Sequence, residues 1–104
     1  MKYYYNKLVR DKIVENISDK GYKSEFRRLN DEEYKLELDR KLLEEVNEVI
    51  EVHSAEEIGD LLEVILNIMR EHNISEEEVN NKMKEKRKDK GAFDNRIYLI
   101  SVEE

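Results

Sequence analysis

Between Lys41 and Asp60 the chain reads KLLEEVNEVIEVHSAEEIGD, and its acidic residues do not keep to the side opposite its apolar ones. On a helical wheel at about 100° per residue, Leu38, Leu42, Val46, Val49 and Val52 form one apolar arc. Glu45 falls inside that arc and Glu48 on its edge, while Glu44 and Glu51 lie further out. On the following helix Ile58, Leu62, Ile65, Leu66 and Met69 form one side of an arc that Leu61, Val64 and Ile68 extend. Glu57 lies within it and Asp60 borders it. With a short turn at 52–54 the two helices would form an antiparallel hairpin, in which residues equidistant from the turn share a height. Glu45 then stands level with Asp60, and Glu48 with Glu57, so the spacing predicts four converging carboxylates.

Like charges gathered near an apolar wall disfavour their own ionised forms, so such a cluster calls for a cation. Oxygen donors without His or Cys select hard ions, and Mg2+ or Mn2+ suits a carboxylate set that leaves room for water and phosphate oxygens. A di-iron site in a helical bundle wants Glu-x-x-His on facing helices. His53 and His72 are preceded at that spacing by Ile50 and Met69, which excludes it. The expected ligands are Glu45, Glu48, Glu57 and Asp60, with Glu45 and Glu48 also the candidate catalytic carboxylates. Each acid also has an ordinary explanation. Glu57 can be the returning carboxylate of a capping box with Ser54, Glu48 and Asp60 can be solvated flank residues, and Glu45 can pair with Lys41 four residues earlier. The joint pattern favours the metal, because ionised carboxylates are rarely left unpaired against a core.

The elements that would position these acids can be read from periodicity and caps. Leu8, Val9, Ile13 and Ile17 predict a helix over about 7–19, stopped near Gly21. Asn30 or Asp31 caps a long helix to about Val52, with Glu33 near its third position. Ser54-Ala-Glu-Glu57 opens a third from Ala55 to about His72, and Ser75-Glu-Glu-Glu78 a fourth that ends at Lys90 before Gly91. Residues 22–29 and 96–102 read as short extended segments that pair with each other. The expected fold is therefore an all-α, four-helix-bundle-type subunit with an antiparallel central hairpin, occupying 1–104 as one domain.

The totals are consistent with that size and class. The 104 residues are 38% hydrophobic and 43% charged, with three Gly and no Pro, so a single small domain has a thin core and is helped by a partner subunit. Without Cys there is no disulfide framework or thiolate metal site. No secretory-type apolar run or membrane-spanning stretch is apparent, which sets the expectation of a cytoplasmic protein that binds no membrane. The net charge of -7 is segregated: residues 1–30 hold 8 basic and 4 acidic side chains, 31–79 hold 4 and 17, and 80–104 hold 7 and 5. An acidic middle repels nucleic acid. It suits a site holding cations centrally and anions at its rim.

Glu44-Glu45-x-x-Glu48 followed by Glu57-x-x-Asp60 resembles the EExxE…ExxD signature of the MazG-like all-α nucleoside triphosphate pyrophosphohydrolases. The flanks Tyr5-Asn-Lys-Leu-Val-Arg-Asp-Lys-Ile13 and Lys86-Arg-Lys-Asp-Lys-Gly-Ala-Phe93 resemble those of the short phosphoribosyl-ATP pyrophosphohydrolase-like subgroup, so the likeness spans nearly the whole chain. Val14 stands where many relatives have Pro, Ala92 replaces the second Gly of a Gly-Gly-Phe turn, and eight residues between Glu48 and Glu57 make a short spacer. The resemblance implies Mg2+-dependent hydrolysis between the α and β phosphates, giving a nucleoside monophosphate and pyrophosphate, by a homodimer or homotetramer. Such an enzyme would serve histidine biosynthesis or clear non-standard nucleotides. Lys7, Arg10, Lys86 and Lys90 are the candidate phosphate contacts, set against their ordinary place on solvated helix ends. Tyr3, Tyr4 and Tyr5 fit packing better than base stacking. The competing function is a non-catalytic dimerisation or regulatory module that has kept the bundle.

Overall fold

The structure, a computed structural model, describes residues 1–104 and contains four helices and no strand. They are α1 (Ile13–Asp19), α2 (Asp31–Glu51), α3 (Ala55–Glu71) and α4 (Glu76–Lys90). Residues Met1–His72 form one compact unit and Asn73–Glu104 a second.

Three of the helices begin where a side chain satisfies the orphan amides of the first turn. Asn30 accepts from the Glu33 amide at 2.9 Å while the Glu33 carboxylate reaches back to the Asn30 amide, a complete capping box. Ser75 and Glu78 make the same reciprocal pair at the start of α4. Ser54 accepts from the Glu57 amide at 3.3 Å at the start of α3. α4 stops at Gly91, whose φ of 84° and ψ of -177° lie in a region essentially reserved for glycine.

α1 is shorter than its periodicity predicts. It starts at Ile13 rather than near residue 7, after a turn closed by the Ile13 amide on the Arg10 carbonyl at 3.1 Å. Its cap position, Lys12, offers no side-chain acceptor. Upstream, Lys7 and Arg10 are drawn to acids on two different helices, an arrangement described below. Residues 22–29 and 96–102, expected as short extended segments that pair, lie outside the helices, but neither has a ladder partner. Lack of a helical period does not by itself make a strand, since an isolated pair of strands is marginal in water.

The core of the first unit lies between α2 and α3, which pack on each other through the connection Val52–Ser54. Leu38, Val64 and Met69 are its only buried apolar residues, and Glu45 is buried with them at 8% exposure. The Tyr34 hydroxyl donates to Asn67 across the pair at 3.5 Å. Outside this seam Leu36, Leu43 and Ile50 form an exposed stripe at seven-residue spacing on α2, and Ile58 and Leu62 are exposed on α3. The whole chain exposes 10260 Å², whereas a folded monomer of 12.6 kDa ordinarily exposes about 6,200 Å². No helix is long and apolar enough to cross a membrane.

Candidate metal centre

Glu45 enters the seam from α2 because its position falls among Leu38, Leu42, Val46 and Val49, which all turn inward to some degree. From α3, Glu57 and Asp60 sit one turn apart at the end nearest the connection. One carboxylate oxygen from each of Glu45, Glu57 and Asp60 lies within 4.8 Å of the other two. Glu45 is buried and the others half-buried. Glu48 is exposed and lies outside this group of three, yet its charge is felt at Glu57. Residual desolvation, then the negative charges of Glu48, Asp60, Glu56 and Glu45, push the Glu57 carboxyl above the ordinary range.

Glu57 also departs from the capping-box reading. In α2 and α4 the third-position glutamate returns its carboxylate to the cap amide. In α3 only half the box forms: Ser54 receives the Glu57 amide, but the Ser54 amide donates to the Val52 carbonyl at 2.8 Å instead. The Glu57 carboxylate is thereby free to face Glu45 and Asp60.

Around the three acids stands a ring of cations. Lys7 Nζ donates to Glu44 Oε1 at 3.1 Å, and Lys41 Nζ donates to Glu44 Oε2 at 3.3 Å and stands 3.7 Å from Glu45 Oε1. Arg10 Nη2 donates to Asp60 Oδ1 at 2.8 Å. Partial burial raises the Glu44 carboxyl, but the hydrogen bonds from Lys7 and Lys41 outweigh it and leave the group below its ordinary value. The sequence placed Glu44 outside the arc, and the i−3 lysine was the one available signal that it would be engaged. Lys7 and Arg10, expected as phosphate contacts, are brought to the rim of the cluster. Lys86 and Lys90 belong to the second unit, where both are exposed on α4.

The set is all oxygen and drawn from two helices, with its buried member among apolar side chains, and oxygen donors of this kind are the ones that hard cations take. His53 and His72 are exposed and offer nothing to it. No family model matches the chain, and neither the curated proteins nor the solved structures contain a match.

Proposed function

We propose that the chain is a Mg2+-dependent nucleotide pyrophosphohydrolase of the MazG-like type, hydrolysing a nucleoside triphosphate between its α and β phosphates. The observation that carries this reading is the convergence of Glu45, Glu57 and Asp60, with the Glu57 carboxylate released from the capping duty that its counterparts in α2 and α4 perform. Glu45, Glu57 and Asp60 would hold the ion, with Glu48 at their edge. A bound divalent ion (Mg2+, or Mn2+ in its place) lowers the pKa of coordinated water and offsets phosphate charge. Glu45 and Glu48 are the carboxylates assigned to orienting the attacking water and accepting its proton. Lys7 and Arg10 stand where phosphate oxygens would approach. Arginine serves that task better than lysine because its planar fork binds two oxygens at once.

The same reading includes an antiparallel α2–α3 hairpin and assembly into a homodimer or homotetramer. The meeting of Glu45 from α2 with Glu57 and Asp60 from α3 across a short connection supports the hairpin, and the surplus of about 4,000 Å² over a folded monomer's surface supports assembly. Obligate interfaces bury areas of that order. The exposed stripe Leu36, Leu43 and Ile50 is the natural face to be covered.

A specific observation favours the non-catalytic alternative: Lys41, itself only 17% exposed at its side chain, stands 3.7 Å from Glu45 and partly neutralises it. That distance is too long for a hydrogen bond, and the lysine's shorter contact is to Glu44. Glu45 thus keeps its acceptor sites. Screening nucleoside triphosphates with Mg2+, while measuring pyrophosphate separately from orthophosphate, tests the enzyme reading. Absence of pyrophosphate across the panel would leave the dimerisation module standing.

A further inference from the structure

The segment just before α1 is fastened to the rim of the carboxylate cluster by charge. Lys7 holds Glu44 of α2 at 3.1 Å and Arg10 holds Asp60 of α3 at 2.8 Å, so residues 7–10 bridge the two helices that carry the site. Little else secures them. Among residues 1–12 only Leu8 is even half-buried, and the Lys7 and Arg10 side chains are 43% and 59% exposed. Asn6, with φ of 46°, turns the chain immediately upstream. Fastening by exposed ion pairs is weak and reversible.

Asp60 belongs at once to the three-carboxylate group and to Arg10. The charges make these roles antagonistic. Of the three clustered acids, Asp60 meets Arg10 and Glu45 stands near Lys41, while Glu57 meets no cation and feels Glu48 beside it, so without a metal side chains neutralise the cluster only in part. A divalent ion among the acids adds two positive charges beside a guanidinium and an ammonium that the acids then no longer need. Resting on the metal reading above, we infer that residues 7–10 are a cation-fastened strap that competes with the metal for the cluster. Lys7 and Arg10 neutralise the acids when the metal is absent, and metal binding releases both side chains to pair with the incoming phosphates. The strap thereby ties availability of the phosphate-binding cations to occupancy of the metal site.

The test uses the full chain and Mn2+ as the probe, with free Mn2+ followed by its EPR signal. Arg10→Ala and Lys7→Ala are expected to bind Mn2+ about two- to fivefold more tightly than the unaltered chain, the span of one surface ion pair. Lys23→Ala, which removes the same charge from an exposed lysine that makes no ion pair, should bind as the unaltered chain does. In the unaltered protein, Mn2+ should speed tryptic cleavage after Lys7 and Arg10. Binding by Arg10→Ala or Lys7→Ala that matches Lys23→Ala or is weaker, or cleavage that Mn2+ slows or leaves unchanged, overturns the strap while the metal site stands. Binding by Arg10→Ala where the unaltered chain shows none supports it. No binding by any of the four proteins overturns strap and metal site together.

Discussion

Glu45→Gln keeps the shape of the one buried acid and removes its charge. The effect on stability is small because attraction and repulsion offset one another and both are screened. At an effective dielectric constant of 20, attraction to Lys41 across 3.7 Å amounts to about 4.5 kcal/mol. Repulsion from Asp60 and from Glu57, each with an oxygen within 4.8 Å, amounts to at least about 3.5 kcal/mol apiece on the same scale, so repulsion leads before solvent screening cuts every contribution down. The metal-free variant should therefore be within about 1 kcal/mol of the parent, on the stabilised side, a shift of roughly 4–8 °C at most in melting temperature. Hydrolysis should fall about 100-fold or more, since losing a ligand charge forfeits several kcal/mol of transition-state stabilisation. Glu44→Gln, whose carboxylate faces Lys7 and Lys41 rather than the group of three, should cost well under tenfold. Pyrophosphate release and thermal melting of both variants, run side by side, make the measurement. Equal losses of activity at the two positions would refute the assignment of Glu45 as the inward acid. A loss of about 3–5 kcal/mol of stability at Glu45, with no selective loss of chemistry, would mean that its partner is Lys41 and not a metal.

Added Mg2+ should raise the melting temperature in proportion to its preference for the folded chain, about 2.7 kcal/mol at a hundred times its dissociation constant, and a flat titration to millimolar Mg2+ would count against the site. The metal-free protein should lose stability as pH rises from the ordinary glutamate range through the raised value of Glu57, because the fold holds that proton longer than the unfolded chain does; Glu57→Gln should abolish this loss in a pH series of melts. Glu33 acts with the opposite sign. Its carboxyl is lowered by hydrogen bonds from Arg27 and from the Asn30 amide, so its contribution is present above the ordinary range and lost as pH falls through the lowered value, and Glu33→Gln should flatten the acid limb. Gly59 lies inside α3 with nothing within 4 Å of where a Cβ would stand, so Gly59→Ala should stabilise by about 0.5–1 kcal/mol in denaturant melts. Sedimentation at micromolar concentration should show a dimer or larger species, and Leu43→Lys on the exposed stripe should shift it toward monomer.

Much of the helical skeleton was legible because its signals are local. Asn30, Ser54 and Ser75 each carry their third-position glutamate, and α2, α3 and α4 start beside them and end within a residue or so of their expected limits. Period and turn length brought Glu45, Glu57 and Asp60 together but counted Glu48 among them as well, and Glu48 lies exposed outside the group of three. What escaped the sequence depends on partners far along the chain. The i, i+3 and i+4 pattern of residues 8–17 has no means of showing that Lys7 and Arg10 meet Glu44 and Asp60, and α1 begins only at Ile13, where no side chain caps it. Ser54-x-x-Glu57 has the same letters as the box at Ser75, and only the neighbouring acids and the Val52 carbonyl decide that its second half stays open. Residues 22–29 and 96–102 lack a helical period, as strands do, but nothing local supplies a ladder.

α4 is made differently from the other long helices. It buries no residue, its first turn carries Glu76, Glu77 and Glu78, its last turn carries Arg87, Lys88 and Lys90, and Lys82 pairs with Glu85 at 3.3 Å on its surface. Such a helix draws its stability from its own termini and side-chain pairs, and at 15 residues that supply is marginal. Chains of more than one compact unit depart from all-or-none unfolding. Five of the six tyrosines lie before residue 73, so their near-ultraviolet signal reports the first unit, whereas the far-ultraviolet helical signal blends both. The two signals part company on heating, and added salt acts on α4 by screening the charges at its ends.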